Sequence, residues 1–424
     1  MSSDERYHAL KGMQDILPPD IYIWQKIEAA AKEIFPLFGF KEIRPPIVES
    51  TSVFTRSIGE NTDIVEKEMY TFNDKAGRSI SLRPEGTASV VRAYVENHLH
   101  NLPSPQKFFY SGPMFRYERP QSGRFRQFYQ TGVELFGSSS PKSDAEVISM
   151  LGRFLEKIGL EGLSFQVNSI GCEKCRPGYK EAVTGFFSDR LDNLCPDCRR
   201  RLNLNPLRIL DCKVERCVEM KNGAPQIIDY LCEACKKHFD KLLSMLSVLG
   251  IKYTVNPEMV RGLDYYTRTT FEVTSGSLGA QNAVAAGGRY DKLVKAFGGP
   301  ETPAVGFAVG MERIVELLKR SGQSDLPVPD IFIAFIGDAA EAESMMIAER
   351  IRGAGYWAEL GESEASLKSQ MRRADRLSVK YVFIIGDEEL NRKIIKWKRL
   401  SDSEQGEIPI SGLTDFLLEN IHRS

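Results

Sequence analysis

The sequence lacks a long hydrophobic segment and an excess of charge of either sign. No apolar run approaches the length of a membrane-spanning helix, and the first ten residues, MSSDERYHAL, lack the apolar centre of a secretory signal peptide. We therefore expect a cytoplasmic protein with no membrane partner. The 56 basic and 57 acidic residues give a net charge of −1, so any binding of a polyanion must come from local patches of cations.

Cysteine is absent before residue 172 and after residue 235, and all eight cysteines lie between these positions. In a cytosolic chain, C-x-x-C pairs are typical of tetrahedral zinc ligands rather than of disulfides. Nineteen residues separate Cys175 from Cys195, a spacing that suits a four-cysteine zinc ribbon. The alternative is a small domain that contains reduced cysteines and binds no metal. The six paired cysteines are Cys172, Cys175, Cys195, Cys198, Cys232 and Cys235.

Arginines and aromatic residues alternate in the segment FFYSGPMFRYERPQSGRFRQFYQTGVELFG, residues 108 to 137. Two apolar runs flank a loop rich in proline, glycine and serine, which predicts an antiparallel hairpin. Guanidinium groups suit phosphate oxygens, and aromatic faces stack on a base, so the hairpin is typical of a nucleotide site. The alternative is a solvated hairpin whose cations face water. The cations are Arg116, Arg119, Arg124 and Arg126.

Three further segments have recognisable periodicity. Residues 20 to 38 predict a helix that ends at Gly39, and the following FKEIRPPIVES predicts an edge strand interrupted by two prolines. The segment SLRPEGT leads into another helix, where Thr87 would cap the helix and Glu85 would lie at its positive end. Residues 140 to 158 predict an amphipathic helix.

Near the C-terminal half, GFAVGMERIVELLKR predicts a strand followed by a helix with Arg313 in its first turns. A cation there opposes the helix dipole, which indicates either an outside anionic or π partner or an ion pair with Glu312 or Glu316. After SGQSDLPVPD, strands and helices alternate, which predicts an α/β domain of roughly a hundred residues. Its cations either contact a nucleic-acid backbone or protect a strand edge: Lys393, Lys396, Lys398 and Arg399.

Over essentially its whole length the chain resembles the bacterial-type histidyl-tRNA synthetases, which are class II aminoacyl-tRNA synthetases. FGFKEIRPPIVES resembles the first class motif, FRYERPQSGRFRQFYQTGVELFG the second and GFAVGMERI the third. RGLDYYTRTTFEV, residues 261 to 273, resembles the motif specific for histidine. AAGGRYD, LRPEGT and KGMQDILPPD also have the look of the family.

The resemblance implies an α+β fold with an antiparallel sheet flanked by helices, and a homodimer. The catalytic domain would comprise residues 1–170 and 257–325, the cysteine-rich insertion 171–256 and the anticodon-binding domain 330–424. The implied reaction is the activation of histidine by ATP, with Mg²⁺ on the β- and γ-phosphates, followed by transfer of histidine to the 3′ end of histidine tRNA. The insertion would lie over the acceptor stem, where Arg199, Arg200 and Arg201 would either contact phosphate or face solvent.

The resemblance also implies residue roles. Arg116 and Arg261 would hold the α-phosphate and form the catalytic pair, while Phe128 and Arg313 would enclose adenine. The residues expected to contact histidine are Glu85, Gly86, Thr87, Arg116, Gln130, Glu134, Arg261, Tyr265 and Tyr266. Those expected to contact ATP are Arg116, Arg124, Phe128 and Arg313.

Two functions from other classes compete with this interpretation. A synthetase-like regulatory subunit of histidine biosynthesis would bind histidine without charging tRNA, and a generic RNA-binding scaffold would carry no amino-acid pocket. Such regulatory paralogues typically lack the anticodon-binding domain and parts of the motifs. Arg116, Arg261 and Arg313 are all present here, and so is the domain after Asp330.

Overall fold

The computed structural model describes residues 7–59, 62, 64–120, 123–260, 263, 265–278, 283–322 and 326–421. The chain forms two compact units, Met1–Ser324 and Asp325–Ser424, and the cysteine-rich residues belong to the first. Within the described parts of the chain, no helix combines the length and the apolar character needed to cross a membrane.

An eight-stranded sheet forms the centre of the first unit. Its strand order is β1-β5-β6-β11-β10-β9-β7-β8, in which the strands from β5 to β7 pair antiparallel and the two outer pairs are parallel. A second, three-stranded sheet has the order β2-β4-β3. The strands of the unit are β1 (Lys41–Glu42), β2 (Val48–Ser50), β3 (Thr71–Asn73), β4 (Ser79–Leu82), β5 (Gln106–Phe115), β6 (Gln127–Phe136), β7 (Leu163–Ser169), β8 (Tyr253–Val255), β9 (Thr267–Ser275), β10 (Ala283–Arg289) and β11 (Ala304–Gly310).

Helices cover both faces of the large sheet and fill the cysteine-rich insertion. A single π-helical turn, Ile64–Glu68, follows the second helix. The α-helices of the unit are α1 (Asp20–Leu37), α2 (Thr51–Ile58), α3 (Thr87–Glu96), α4 (Pro141–Lys157), α5 (Arg176–Ser188), α6 (Pro196–Leu204), α7 (Glu215–Met220), α8 (Glu233–Val248), α9 (Leu293–Ala296) and α10 (Met311–Arg320).

The predictions for α1, for the proline-bearing strand and for the hairpin are confirmed. Helix α1 ends before Gly39, whose φ of +82° favours glycine. The prolines interrupt FKEIRPPIVES, so β1 and β2 become edge strands of two different sheets. Residues 108 to 137 form the antiparallel pair β5 and β6. The predicted α+β fold, with its antiparallel-rich sheet, is therefore confirmed.

Alternate residues of β6 face opposite sides of the sheet, as the pleat requires. Val133 and Leu135 belong to the main apolar core, where α1, α4, α8 and α10 bury their apolar faces. Phe136 faces the other side, where it stacks on Tyr94 of α3 with ring centroids 4.3 Å apart. This second face contains the polar side chains described below.

A buried polar network joins α4, α8, β9 and β10. The carboxylate of Asp144 accepts hydrogen bonds from Thr269 Oγ1 at 2.6 Å and from the guanidinium of Arg289, and it lies 2.8 Å from His238 Nε2. Burial alone would raise the pKa of Asp144, but the His238 hydrogen bond and the Arg289 charge outweigh burial and lower it. A fully buried cation and a fully buried carboxylate thus neutralise each other beneath the sheet.

The second unit is a five-stranded mixed sheet with helices. Its strand order is β13-β12-β14-β15-β16, in which β12 pairs parallel with both of its neighbours. All five residues of β12 are buried, which is typical of a strand covered on both faces. The elements are β12 (Ile331–Phe335), α11 (Asp338–Gly353), β13 (Ala358–Leu360), α12 (Leu367–Arg376), β14 (Tyr381–Ile385), α13 (Asp387–Arg392), β15 (Ile394–Arg399), β16 (Gln405–Pro409) and α14 (Leu413–Asn420).

The strand-edge interpretation of the C-terminal cations is wrong, because β15 lies between β14 and β16 rather than at an edge. Lys396 forms an ion pair with Glu389 at 2.6 Å, and the guanidinium of Arg399 lies 2.8 Å from Asp402. Two of the four cations are therefore neutralised within the unit.

Candidate active site

The N-terminus of α3 holds a buried carboxylate. Both oxygens of Glu85 accept backbone hydrogen bonds, from Thr87 N and Ala88 N, each at 2.8 Å. Glu85 therefore occupies the positive end of the helix, as predicted. Thr87 is not the capping side chain that the sequence suggested, since its hydroxyl donates to Glu134 instead. Burial raises the pKa of the Glu85 carboxyl despite these bonds.

Glu134 stands on β6 at the centre of the site and is 1% exposed. Its Oε1 accepts a hydrogen bond from Thr87 Oγ1 at 2.6 Å, and its Oε2 accepts one from the Tyr290 hydroxyl. Burial raises the pKa of Glu134 to about 8, and the negative charge of nearby Glu85 adds to the increase. At neutral pH the empty site therefore holds Glu134 mainly in its protonated form.

Glycines give these side chains their space. Gly306 of β11 lies opposite Glu134, and a Cβ at Gly306 would stand 2.0 Å from Glu134 Oε2. A Cβ at Gly132 would stand 2.5 Å from the ring of Tyr110, and one at Gly86 only 2.2 Å from it. The buried Glu134 and Tyr110 side chains therefore depend on backbone that carries no side chain.

Two of the four hairpin arginines surround one carboxylate. Glu118 Oε2 lies 2.9 Å from Arg124 Nη1, and its Oε1 lies 3.8 Å from Arg116 Nη1. Arg116 also donates its Nε–H to Pro84 O at 2.9 Å, which fixes the guanidinium against the loop before α3. The Arg116 guanidinium lies 5.2 Å from the ring centroid of Phe128.

The third motif supplies a buried carboxyl group, that of Glu312, and a buried guanidinium group, that of Arg313. Glu312 accepts a hydrogen bond from Tyr129 N at 2.8 Å, and burial raises the pKa of its carboxyl to about 7. Arg313 donates to the backbone carbonyl of Ala283, and burial together with the charge of Arg124 lowers its pKa. Glu312 thus bonds to the β6 backbone rather than neutralising its neighbour.

These groups line one cavity of about 280 Å³. It contains ten of the twelve residues that the sequence predicted for histidine or ATP: Glu85, Thr87, Arg116, Arg124, Phe128, Gln130, Glu134, Tyr265, Tyr266 and Arg313. Arg261 lies outside the described residues, and Gly86 flanks the cavity between two lining residues.

The cavity is polar at the end that lies by α3. Among the described residues, Gln130 Oε1 is a buried acceptor without a hydrogen-bond partner. Tyr265, Tyr266 and Tyr290 form a cluster in which neighbouring ring centroids lie 4.8 and 5.6 Å apart. Burial raises the pKa of Tyr265 well above its usual range, so its hydroxyl stays protonated.

The other two hairpin arginines do not line the cavity. Arg126 stacks on the ring of Tyr117 at 3.7 Å, and its backbone N–H donates to Gly12 O at 2.7 Å. Arg119 is exposed. Of the four hairpin arginines, Arg116 and Arg124 therefore remain the candidates for binding a nucleotide, while Arg126 stabilises the hairpin itself.

Four residues at this site had no role there in the sequence-based prediction. Tyr290 lies in the AAGGRYD segment, which carried part of the family resemblance but no role for its tyrosine. Gly306 carried no local signal, because its importance comes from the register of β6 with β11. The lining carboxylates of Glu118 and Glu312 were likewise given no role at the site.

The insertion departs from the predicted cysteine arrangement. Cys172 and Cys175 cluster with Cys232 and Cys235, not with the pair at 195 and 198. The ribbon inferred from the nineteen-residue spacing is therefore wrong. Of the arginines after Cys198, Arg199 donates to the carbonyls of Asp192 and Leu194, at 2.7 and 3.1 Å.

Comparison with known proteins gives a consistent family. The profile described as "Histidyl-tRNA synthetase" matches residues 12–172 and 213–314, and the "Anticodon binding domain" profile matches residues 330–420. The histidine–tRNA ligase of Thermodesulfovibrio yellowstonii is 52% identical over 97% of this chain and 98% of its own. That of Syntrophotalea carbinolica is 50% identical over the same shares.

A solved structure agrees with these relatives. The apo histidyl-tRNA synthetase of S. aureus superposes with a TM-score of 0.82 at 37% identity, covering 97% of this chain and 99% of that one. Taken together with the cavity and its motif residues, these matches show that the chain belongs to the histidyl-tRNA synthetase family.

Proposed function

We propose that this protein is a histidine–tRNA ligase. It activates L-histidine with ATP to histidyl-adenylate and pyrophosphate, and then transfers histidine to the 3′ end of histidine tRNA. The observation that carries the proposal is the single cavity, which brings together the predicted amino-acid residues and the predicted nucleotide residues. The curated relatives at 52% and 50% identity are named histidine–tRNA ligases, which supports the same activity.

The proposed amino-acid site lies at the α3 end of the cavity. The carboxylate of Glu85 and the unpartnered Oε1 of Gln130 are acceptors for the substrate ammonium, beside the Thr87 hydroxyl. Glu134 and Tyr266 would contact the two imidazole nitrogens, and Tyr265 and Gly86 complete the wall. An apolar mimic would leave these buried groups unpaired, so the site discriminates strongly without editing.

The proposed ATP site lies at the arginine end. The carboxylate of Glu118 between Arg116 and Arg124 marks a position where an anion is favoured, and we propose that a phosphate replaces it there. Phe128 and Arg313 would enclose adenine, by stacking and through the guanidinium plane. Arg124 is proposed to hold the γ-phosphate.

In the activation step, a carboxylate oxygen of histidine forms a bond to the α-phosphorus and the bond to the β-phosphate oxygen breaks. Arg116 is proposed to stabilise the negative charge that develops on the α-phosphate, with Arg261 as the second cation. In the transfer step, a hydroxyl at the tRNA end attacks the acyl carbon and AMP leaves. Mg²⁺ would neutralise the β- and γ-phosphates, and Glu118 and Glu312 offer the oxygen donors that it prefers.

The assembly and partners extend the proposal. We propose a symmetric homodimer through the first motif, because Leu37, Ile47 and Val48 are apolar and 76%, 41% and 42% exposed. The match of residues 330–420 to an anticodon-binding domain supports tRNA as the partner. A cytoplasmic location accords with a role in translation. Light scattering of the purified protein tests the dimer, which a monomeric mass at micromolar concentration would contradict.

Histidine-dependent exchange of pyrophosphate into ATP tests the activation step. We expect exchange with histidine and none with phenylalanine, and absence of exchange would overturn the proposal. Arg116→Ala should lower the exchange rate by about 10²–10³, the usual cost of losing one donor at a developing anion. Arg78→Ala is the control, because this exposed arginine pairs with Asp74 and does not line the cavity, and it should leave the rate within about twofold.

Charging of histidine tRNA separates the ligase from the regulatory subunit of histidine biosynthesis. The regulatory function predicts histidine binding without charged tRNA. We expect charging with the unmodified protein, and exchange without charging would favour an activation-only relative.

A further inference from the structure

The eight cysteines of the insertion form two separate four-thiol clusters. The outer cluster is defined by Cys172, Cys175, Cys232 and Cys235, and the inner cluster by Cys195, Cys198, Cys212 and Cys217. Within each cluster the four sulfur atoms all lie within 4.8 Å of one another. The inner four side chains are all buried, as are two of the outer four.

The distances between sulfur atoms suit a shared metal ion. A tetrahedral site with zinc–sulfur bonds of ~2.3 Å has sulfur–sulfur edges of ~3.8 Å, whereas a disulfide needs ~2.05 Å. Cys172 Sγ lies 3.7 Å from Cys175 Sγ and 3.8 Å from Cys232 Sγ. Cys195 Sγ lies 3.9 Å from Cys212 Sγ. These three sulfur–sulfur distances therefore match the edge length of a zinc–sulfur tetrahedron.

Backbone N–H groups point at these sulfur atoms, as a bound thiolate requires. Cys232 N donates to Cys175 Sγ at 3.1 Å in the outer cluster. Cys195 N donates to Cys217 Sγ at 3.2 Å in the inner cluster. Such bonds spread the charge of a tetrathiolate site into the backbone.

In each of the three C-x-x-C pairs, one cysteine lies directly before the first residue of a helix. Cys175 precedes α5, Cys195 precedes α6 and Cys232 precedes α8, helices of 13, 9 and 16 residues. The positive end of a helix stabilises a thiolate, which is the form that binds metal. Both clusters therefore combine ligand geometry with favourable local electrostatics.

We propose that the insertion holds two structural zinc ions, one in the outer and one in the inner cluster. In each site four protein thiolates fill all four positions of a tetrahedron and leave none for an exchangeable ligand, which is the pattern of a closed structural site. Zinc is the expected metal because four cysteines in a tetrahedral arrangement select soft, borderline cations.

The two sites have different neighbours. In the outer cluster, Arg176 follows Cys175 directly and donates a hydrogen bond to the carbonyl of Tyr266, whose ring lines the active-site cavity. The preceding Gly171 accepts from Arg268 N at 2.8 Å, which ties the same turn to the start of β9. The outer zinc is therefore a positioning site for the tyrosine side of the histidine pocket.

Beside the inner cluster, Arg199 follows Cys198 and donates within the insertion, to the carbonyls of Asp192 and Leu194. The cysteines of the inner cluster belong to a separate apolar cluster of the insertion with Val183, Phe187 and Ile209. Within the described residues, none of its four cysteines lines the cavity. Loss of the inner zinc should unfold part of the insertion and leave the histidine pocket unchanged.

The metal content of the full-length protein tests the proposal. Protein purified without chelator should contain two zinc ions per chain by elemental analysis. The double variant Cys195→Ser/Cys198→Ser and the double variant Cys232→Ser/Cys235→Ser should each retain one. A content of one zinc per chain or less in fully reduced protein, or iron in its place, would overturn the assignment, as would a double variant with unchanged zinc.

Two further measurements cover a variant that fails to fold. In the unmodified protein, a thiol reagent should react with few of the eight cysteines until a chelator is added, although Cys172 and Cys232 are only half-buried. Eight reactive thiols before the chelator would contradict two metal sites. Cys232→His should keep both zinc ions, because three thiolates with one imidazole also bind zinc tetrahedrally.

The difference between the sites is tested by kinetics and rests on the proposed function. The outer double variant should raise the KM for histidine in pyrophosphate exchange by about tenfold or more, with little change in the KM for ATP. The inner double variant should leave both within about twofold. Equal effects would refute the positioning role. The zinc count requires no activity, so it distinguishes failure of the metal sites from failure of the proposed function.

Discussion

Histidine binding should depend on pH through Glu134, because this carboxyl has a pKa of about 8 in the empty site. The free imidazole titrates near ~6.5. Between these pH values the carboxyl of Glu134 is protonated in the free enzyme, and the imidazole of free histidine is neutral. The complex then holds a single proton between carboxyl and imidazole, so the affinity should be greatest between about pH 6.5 and 8.

The affinity for histidine falls at both low and high pH, and the acidic and alkaline limbs of this profile have different origins. Below about pH 6.5 the free imidazole must release a proton to bind, and above about pH 8 Glu134 must take one up, so the affinity falls about tenfold per unit on each side. Glu134→Gln cannot titrate. The variant should bind histidine more weakly at every pH, keep the acidic limb and lose the alkaline limb that Glu134 causes.

The assay is the KM for histidine in pyrophosphate exchange from pH 6 to 9, for both proteins. Deprotonation of the substrate ammonium at high pH weakens both proteins equally, so the ratio of the two KM values isolates Glu134. We expect the KM of the variant divided by the KM of the unmodified protein to fall about fivefold between pH 8 and 9, because Glu134 is already half ionised at pH 8. A constant ratio across the range would refute the reasoning.

The same ionisation should appear in stability. The folded-state pKa of Glu134 exceeds the ordinary value of 4.5, so its contribution is complete below that pH and is lost as the pH rises through 8. The shift corresponds to about 5 kcal/mol as an upper limit. Between pH 6 and 8, the free energy of unfolding of the unmodified protein should fall by about 3 kcal/mol relative to that of Glu134→Gln, measured by denaturant titration.

Two further changes test the framework around the site. Gly306→Ala places a Cβ 2.0 Å from Glu134 Oε2 and should raise the KM for histidine at least about tenfold, whereas Gly353→Ala in α11, with nothing within 4 Å of the added Cβ, should not. Asp144→Asn removes the fully buried carboxylate that faces Arg289, while Asp291 still pairs with this cation, and should lower the free energy of unfolding by about 3 kcal/mol, measured by denaturant titration.

The controls for these changes use the same chain. Equal kinetics for the two glycine variants would contradict the steric argument. For the buried pair, Lys295→Gln removes an exposed partner of Glu301 and should leave the denaturation midpoint unchanged. A comparable loss in both variants would mean that the buried network contributes nothing specific.

The sequence predicted features that depend on local periodicity. The 3.6-residue spacing located α1 and α4, and the turn residues located the β5–β6 pair. Ten of the twelve site residues that the motifs predicted line the cavity. These features follow from propensities and patterns that act over a few residues.

Features that depend on distant pairing were missed. The helix α5 packs against the short turn Ile227–Tyr230, which leads into Cys232, so Cys175 meets a distant pair that its spacing from Cys195 did not indicate. The need for glycine at position 306 comes from its register with Glu134 in a neighbouring strand. The hydroxyl of Thr87 does not cap α3, because it donates its hydrogen bond to the buried carboxyl group of Glu134.

The pairing of β6 with β11 also has a consequence for synthesis on the ribosome. Glu134 and Gly306 are 306 − 134 = 172 positions apart, so at ~5–20 residues per second the second strand follows the first by about 10–30 s. During that interval one side of β6 has no neighbour in the nascent chain, and an unpaired edge of this kind invites association with other chains. The pocket forms late in translation, and a product that stops before β11 lacks it.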